Sequence, residues 1–95
     1  MHIYAITDEL PTPEDAVGLA FLGRISLQEH MAARSMWARA EAEGVLIHPF
    51  EDTRLRLSQV KKLASIAGEN YANNSLSRIL STALARGAGV MSFCD

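Results

Sequence analysis

The sequence predicts an α/β fold: a small three-stranded, largely parallel sheet with covering helices, in the order β-αα-β-αα-β. Short β-rich or apolar runs begin near residues 2, 45 and 89, and each interval between them holds two stretches of helical character. Parallel strands need long crossovers, and helical pairs supply them. A chain of 95 residues sustains one hydrophobic core, so residues 1–95 read as a single domain.

The opening His2-Ile3-Tyr4-Ala5-Ile6-Thr7 is rich in β-formers and stops at Asp8-Glu9-Leu10-Pro11, which places the first strand over 2–7. Thr12-Pro13-Glu14-Asp15 has the composition of a helix start: a capping hydroxyl, a proline at the first position, and acids at the positive end. A short helix to Leu22, closed by Gly23, is preferred over a strand across Leu19–Leu22, although Gly18 weakens it by about 1 kcal/mol relative to alanine. Ser26-Leu27-Gln28-Glu29 is a capping box opening a long helix that Gly44 stops. One stripe of that helix carries Leu27, Met31, Ala38 and Ala42, and a second carries Ala33, Met36, Trp37 and Ala40, which predicts contact on more than one side.

Val45-Leu46-Ile47-His48, limited by Pro49, is short and continuously apolar, as a buried central strand is. A third helix follows from Leu57, Val60, Leu63, Ala64 and Ala67 on one face, with Ser58 as cap and Gly68 as stop. Residues 69–74 break the period, and Leu76, Ile79, Leu80, Ala83 and Leu84 restore it in a fourth helix ending at Gly87. Gly89-Val90-Met91-Ser92-Phe93-Cys94 is long enough for a strand and too short for a helix.

Charge is segregated along the chain. Residues 1–52 sum to −6 and the remainder to +4, for a net charge of −2. In a parallel sheet the carboxyl ends of the strands share one rim, where binding sites gather. That rim would collect Asp8 and Glu9, then His48, Phe50, Glu51 and Asp52, then Cys94 and Asp95. Asp8, Glu9, Phe50, Glu51 and Asp52 are therefore the expected partner-binding residues, with the acids steering a basic protein and Phe50 as apolar anchor.

Other chemistry finds little support. Asp8, His48, Asp52 and Cys94 are metal-ligand types, but no Cys-x-x-Cys, His-x-x-x-His or Glu-x-x-His spacing links them, and His2 and His30 read as surface residues. The glycines form neither a dinucleotide fingerprint nor a phosphate loop, and no Gly-x-Ser-x-Gly elbow occurs. A nucleophile set of Cys94, His48 and Asp52 would sit at a poorly enclosed chain end. No enzyme activity, cofactor or metal is expected. One cysteine, no apolar run of membrane-spanning length and no secretory leader predict a soluble cytoplasmic protein without a membrane partner.

Two resemblances bear on function. Gln59, Leu63-Ala64 and Gly68 have the spacing of the first helix and turn of helix-turn-helix DNA-binding domains, and Leu76-Ser77-Arg78-Ile79-Leu80 resembles the start of their recognition helix. That resemblance covers about a quarter of the chain. It implies a DNA-binding regulator using residues 58–80, with Arg78, Lys61 and Lys62 as contacts. Glu69 and Asn74 depart from its apolar positions, and the acidic first half opposes a nucleic-acid partner. The whole chain, compact, acidic in its first part and without catalytic motifs, is similar to the small immunity proteins of bacterial polymorphic and contact-delivered toxin systems. Their common property implies tight binding of a cognate toxin domain, often a basic nuclease. The group shares no motif, so no residue role is carried over from it, and phage-encoded host inhibitors share the same traits.

Overall fold

The computed structural model describes residues 1–70 and 75–94; residues 71–74, within the predicted interruption, and Asp95, at the predicted rim, lie outside it. In chain order the elements are β1 (His2–Ile6), β2 (Ala20–Arg24), α1 (Leu27–Ala32), α2 (Arg34–Ala42), β3 (Thr53–Leu55), α3 (Leu57–Asn70), α4 (Ser75–Ala85) and β4 (Gly89–Phe93). The strands form one four-stranded sheet in the order β2-β1-β4-β3, and every pairing is antiparallel.

The α/β class stands, and the parallel three-stranded sheet does not. Two of the predicted strands are real, β1 and β4, but they run antiparallel side by side, with His2 opposite Phe93 and Ile6 opposite Gly89. The predicted helix over 12–22 is replaced by turns and then β2. Asp15 Oδ1 accepts the Val17 N–H at 3.0 Å, and Gly18 takes φ +83°, so the local bonds that form there are those of turns. The predicted central strand at 45–48 is an irregular segment outside the sheet. Val45 and Ile47 are buried, yet the Val45 N–H goes to the Ala40 carbonyl (2.9 Å) and the His48 N–H to Thr53 Oγ1 (3.0 Å). Its apolar composition reflects burial, and its backbone groups find partners elsewhere.

Alternation along β1 and β4 decides what the sheet covers. Ile3 and Val90 face the helices and belong to the core with Leu63, Leu80, Trp37 and Ile47. Gly23 in β2 faces the same way, since a Cβ there would meet the Ile79 side chain of α4 at 2.8 Å. The other face carries His2, Tyr4 and Phe93, with Phe21 placed beside Tyr4 by a register shift between Ile3 and Tyr4.

The capping box forms as predicted: Ser26 Oγ accepts the Glu29 N–H (3.1 Å), and the Ser26 N–H donates to Glu29 Oε1 (3.3 Å). That second bond, first among several causes, holds the Glu29 carboxyl below its ordinary range. The long helix it opens is broken at Ala33 into α1 and α2. Only the stripe of Ala33, Met36, Trp37 and Ala40 is buried, while Leu27 and Met31 stay exposed. Gly44 and Gly87 end α2 and α4 at positive φ, each followed by an N–H that closes onto the carbonyl five residues back, Val45 onto Ala40 and Ala88 onto Ala83.

The third helix departs from its predicted ends. It runs through Gly68, and its cap is Arg56, not Ser58: the Arg56 carbonyl accepts from Val60, and the Arg56 N–H donates to Gln59 Oε1 (2.8 Å). A distant side chain completes that cap, because Asp8 Oδ1 accepts the Leu57 N–H at 3.1 Å.

Candidate functional site

An antiparallel sheet separates the residues expected to converge. Running β3 beside β4, with Thr53 opposite Ser92, brings Glu51 and Asp52 to the β1 end that holds His2. Asp8 and Glu9 leave the other end of β1, some five extended residues away, or roughly 17 Å. There is no common acidic rim.

Two of the acids have structural work. Besides capping α3, Asp8 offers its carbonyl to Arg56 Nη1 at 3.0 Å. Arg54, on β3, adds bonds from its guanidinium to the Thr7 carbonyl and Thr12 Oγ1, both at 3.1 Å. The acidic segment after β1 is thus tied to the basic segment around β3. Asp52 Oδ1 accepts the Cys94 N–H at 3.1 Å. Glu9, Phe50 and Glu51 are exposed. Asp8 lies apart from His48, Asp52 and Cys94, and among the described residues no three His, Cys, Asp or Glu side chains gather to hold a metal ion. No helix among them is long and apolar enough to cross a membrane.

The end of the molecule that holds Phe50 has the richest surface. Phe50 is 69% exposed, and its ring meets His48 edge-on at 6.3 Å. The Phe50 N–H donates to His48 Nδ1 at 3.1 Å, which fixes that nitrogen as an acceptor and the turn around Pro49. Beside this turn a cleft of about 310 Å³ is bounded by Met31, Arg34, Trp37, Ala38 and Glu41 on one wall and Leu46, His48 and Pro49 on the other. A second cavity, about 200 Å³, lies among Ile25, Glu29, Ala33 and Leu76, and both share His30 and Trp37.

Trp37, expected on a packing stripe, is buried, whereas His30, read as a surface residue, is the one that sequence reasoning missed. Their rings stack at 4.5 Å and 7° from parallel, and both are buried. Seven residues along a straight helix separate side chains by about 10 Å, so the break at Ala33 makes this stack possible. His30 Nε2 lies 2.7 Å from the Ile47 carbonyl; a carbonyl only accepts, so Nε2 carries the proton. Burial pushes the His30 pKa down, against the opposing pull of that hydrogen bond, and the ring is held neutral. The signal for its burial was present: position 30 continues the stripe of 33, 37 and 40 by one turn.

The face of the sheet away from the helices forms a separate aromatic group. Tyr4 meets Phe21 at 5.3 Å and Phe93 at 5.8 Å, both edge-on, and Phe21 is 56% exposed. The apolar stripes of α3 and α4, which carried the helix-turn-helix resemblance, are buried in the core. Arg78, Lys61 and Lys62 are exposed.

No protein-family model, curated protein or solved structure matches the chain.

Proposed function

We propose that this chain is a protein-binding inhibitor of a basic partner, a cognate bacterial toxin domain, and that it engages that partner through the Phe50 turn. The observation that carries the reading is a phenylalanine 69% exposed on a turn pinned by His48, with exposed Met31 and an apolar cleft at the same end. Large exposed apolar side chains around a pocket are the usual centre of a protein interface. Glu41 in the cleft wall and Glu51 beside Phe50 supply negative charge at its edge, suited to a basic surface. Asp8 and Glu9, at the far end of the sheet, have no part in this surface.

The test uses a catalytically inactive form of the toxin candidate encoded by the adjacent reading frame. A stable complex is expected by calorimetry. Phe50→Ala should weaken it by about 2 kcal/mol, mainly through faster dissociation, while Glu51→Lys should slow association at low salt. Absence of a complex, or a complex indifferent to Phe50→Ala, removes the reading.

A further inference from the structure

The cleft beside α2 has the character of a small-molecule site in its own right. Arg34, Trp37, Ala38 and Glu41 line it at helical spacings of three and four, so one stripe of α2 forms its wall. Met31, Leu46 and Pro49 complete an apolar lining. A volume of about 310 Å³ holds on the order of ten non-hydrogen atoms at liquid-like packing.

The polar groups at this lining are unequal. The Glu41 carbonyl is taken by the Gly44 N–H at 3.0 Å, so the charges offered to the cleft are those of the Arg34 and Glu41 side chains, both exposed. His48, with Nδ1 accepting from Phe50, keeps its proton on Nε2 and adds a donor to the lining. Arg34 is the first residue of α2, whose first turn has no acidic residue to neutralise its charge. Glu41 stands two turns further on, about 10 Å along the axis, and gives the opposite end of the cleft a negative charge. An anionic group is favoured at one end only.

We propose that this cleft binds a small monocarboxylate with an aromatic or branched apolar body, its carboxylate paired with the Arg34 guanidinium and its body over Trp37, Ala38 and Leu46. A guanidinium matches a carboxylate with two parallel hydrogen bonds, and the apolar floor removes the ligand body from water. Glu41 selects against a second carboxylate at the far end. The site is read in the chain alone, so it stands or falls independently of any protein partner.

The experiment titrates 3-phenylpropanoate into the full chain, followed by proton–nitrogen NMR. The probe is compared with 3-phenylpropanamide, 3-phenylpropylamine and a dicarboxylate of similar length, adipate. The carboxylate is expected to shift the Trp37 indole N–H and the amides of residues 34–41 at millimolar concentration. The amide, amine and adipate should each bind at least about fivefold more weakly, and Arg34→Gln should weaken the carboxylate by about tenfold while Arg34→Lys keeps part of the affinity. Arg34 is exposed, so neither variant threatens folding. No shifts at millimolar probe, equal binding of acid and amide, or shifts centred outside the cleft would overturn the proposal.

Discussion

His30 shows how a single side chain ties acidity to folding. Its folded pKa lies below the ordinary value of about 6.5 because burial penalises the imidazolium, so the unfolded chain binds more protons below that pH. The contribution of His30 to stability is therefore complete above about pH 6.5 and is lost progressively as the pH falls. Glu29, also depressed, acts in the same direction but only as the pH falls toward the carboxylate range. Urea unfolding at about pH 7.5 and 5.5 separates them: the wild-type midpoint should drop between the two, and His30→Gln should flatten most of that drop. An equal drop in the variant would assign the acid sensitivity elsewhere. At this scale the sequence was partly legible. Phe50 was singled out as an apolar anchor on the strength of its place after Pro49, and its side chain is exposed. His30 was misread because its polarity outweighed its position, although residue 30 continues the buried stripe of 33, 37 and 40 by one turn.

Among the elements, the helical stretches after Ser26 were legible, while the helix expected over 12–22 is not formed and the strand pairings could not be read. Apolar stripes, the Ser26 box and the stops at Gly44 and Gly87 are local signals, readable within one or two turns of chain. Strand direction is not local: an apolar run such as 89–93 has the same composition whether its neighbour runs with it or against it. Val45 and Ile47 are apolar because they are buried, and β3 is too short, at three residues, to show a period. The α1–α2 break carries neither proline nor glycine to announce it. The close backbone approach at Gly89 yields a test. A Cβ on Gly89 would collide with the Leu55 carbonyl oxygen and reach the Arg56 Cα at 3.0 Å, which are backbone atoms that cannot swing aside. Gly89→Ala should therefore cost about 3 kcal/mol, whereas Gly23→Ala, which meets Cγ1 and Cδ1 of the buried Ile79 side chain and no backbone atom, should cost less, about 1.5 kcal/mol. Comparable denaturation midpoints for the two variants would contradict the close packing of β3 on β4.

Over the whole molecule, the segregation of charge along the sequence is undone in space. Arg54 and Arg56 of the basic half bind the backbone of Thr7 and Asp8 in the acidic half, so opposite charges are interleaved at that end of the sheet. The pairing of His2 with Phe93 reaches further still. Topologically the fold is close to a ring: residues 1 and 94 directly flank the paired His2 and Phe93 of adjacent strands, and a linker of two or three glycines, spanning roughly 7–10 Å, would bridge the two strand ends. The Met1 amine would become an amide that keeps an N–H for the Ile25 carbonyl it now meets at 2.7 Å. New ends can be cut in the exposed stretch around Glu14 and Asp15 without interrupting any strand or helix. Such a circular permutant should retain the far-ultraviolet circular dichroism and cooperative melting of the parent. With the first and last strands parallel, the same linker would have to cross the length of the sheet, about 17 Å, and the permutant would not fold.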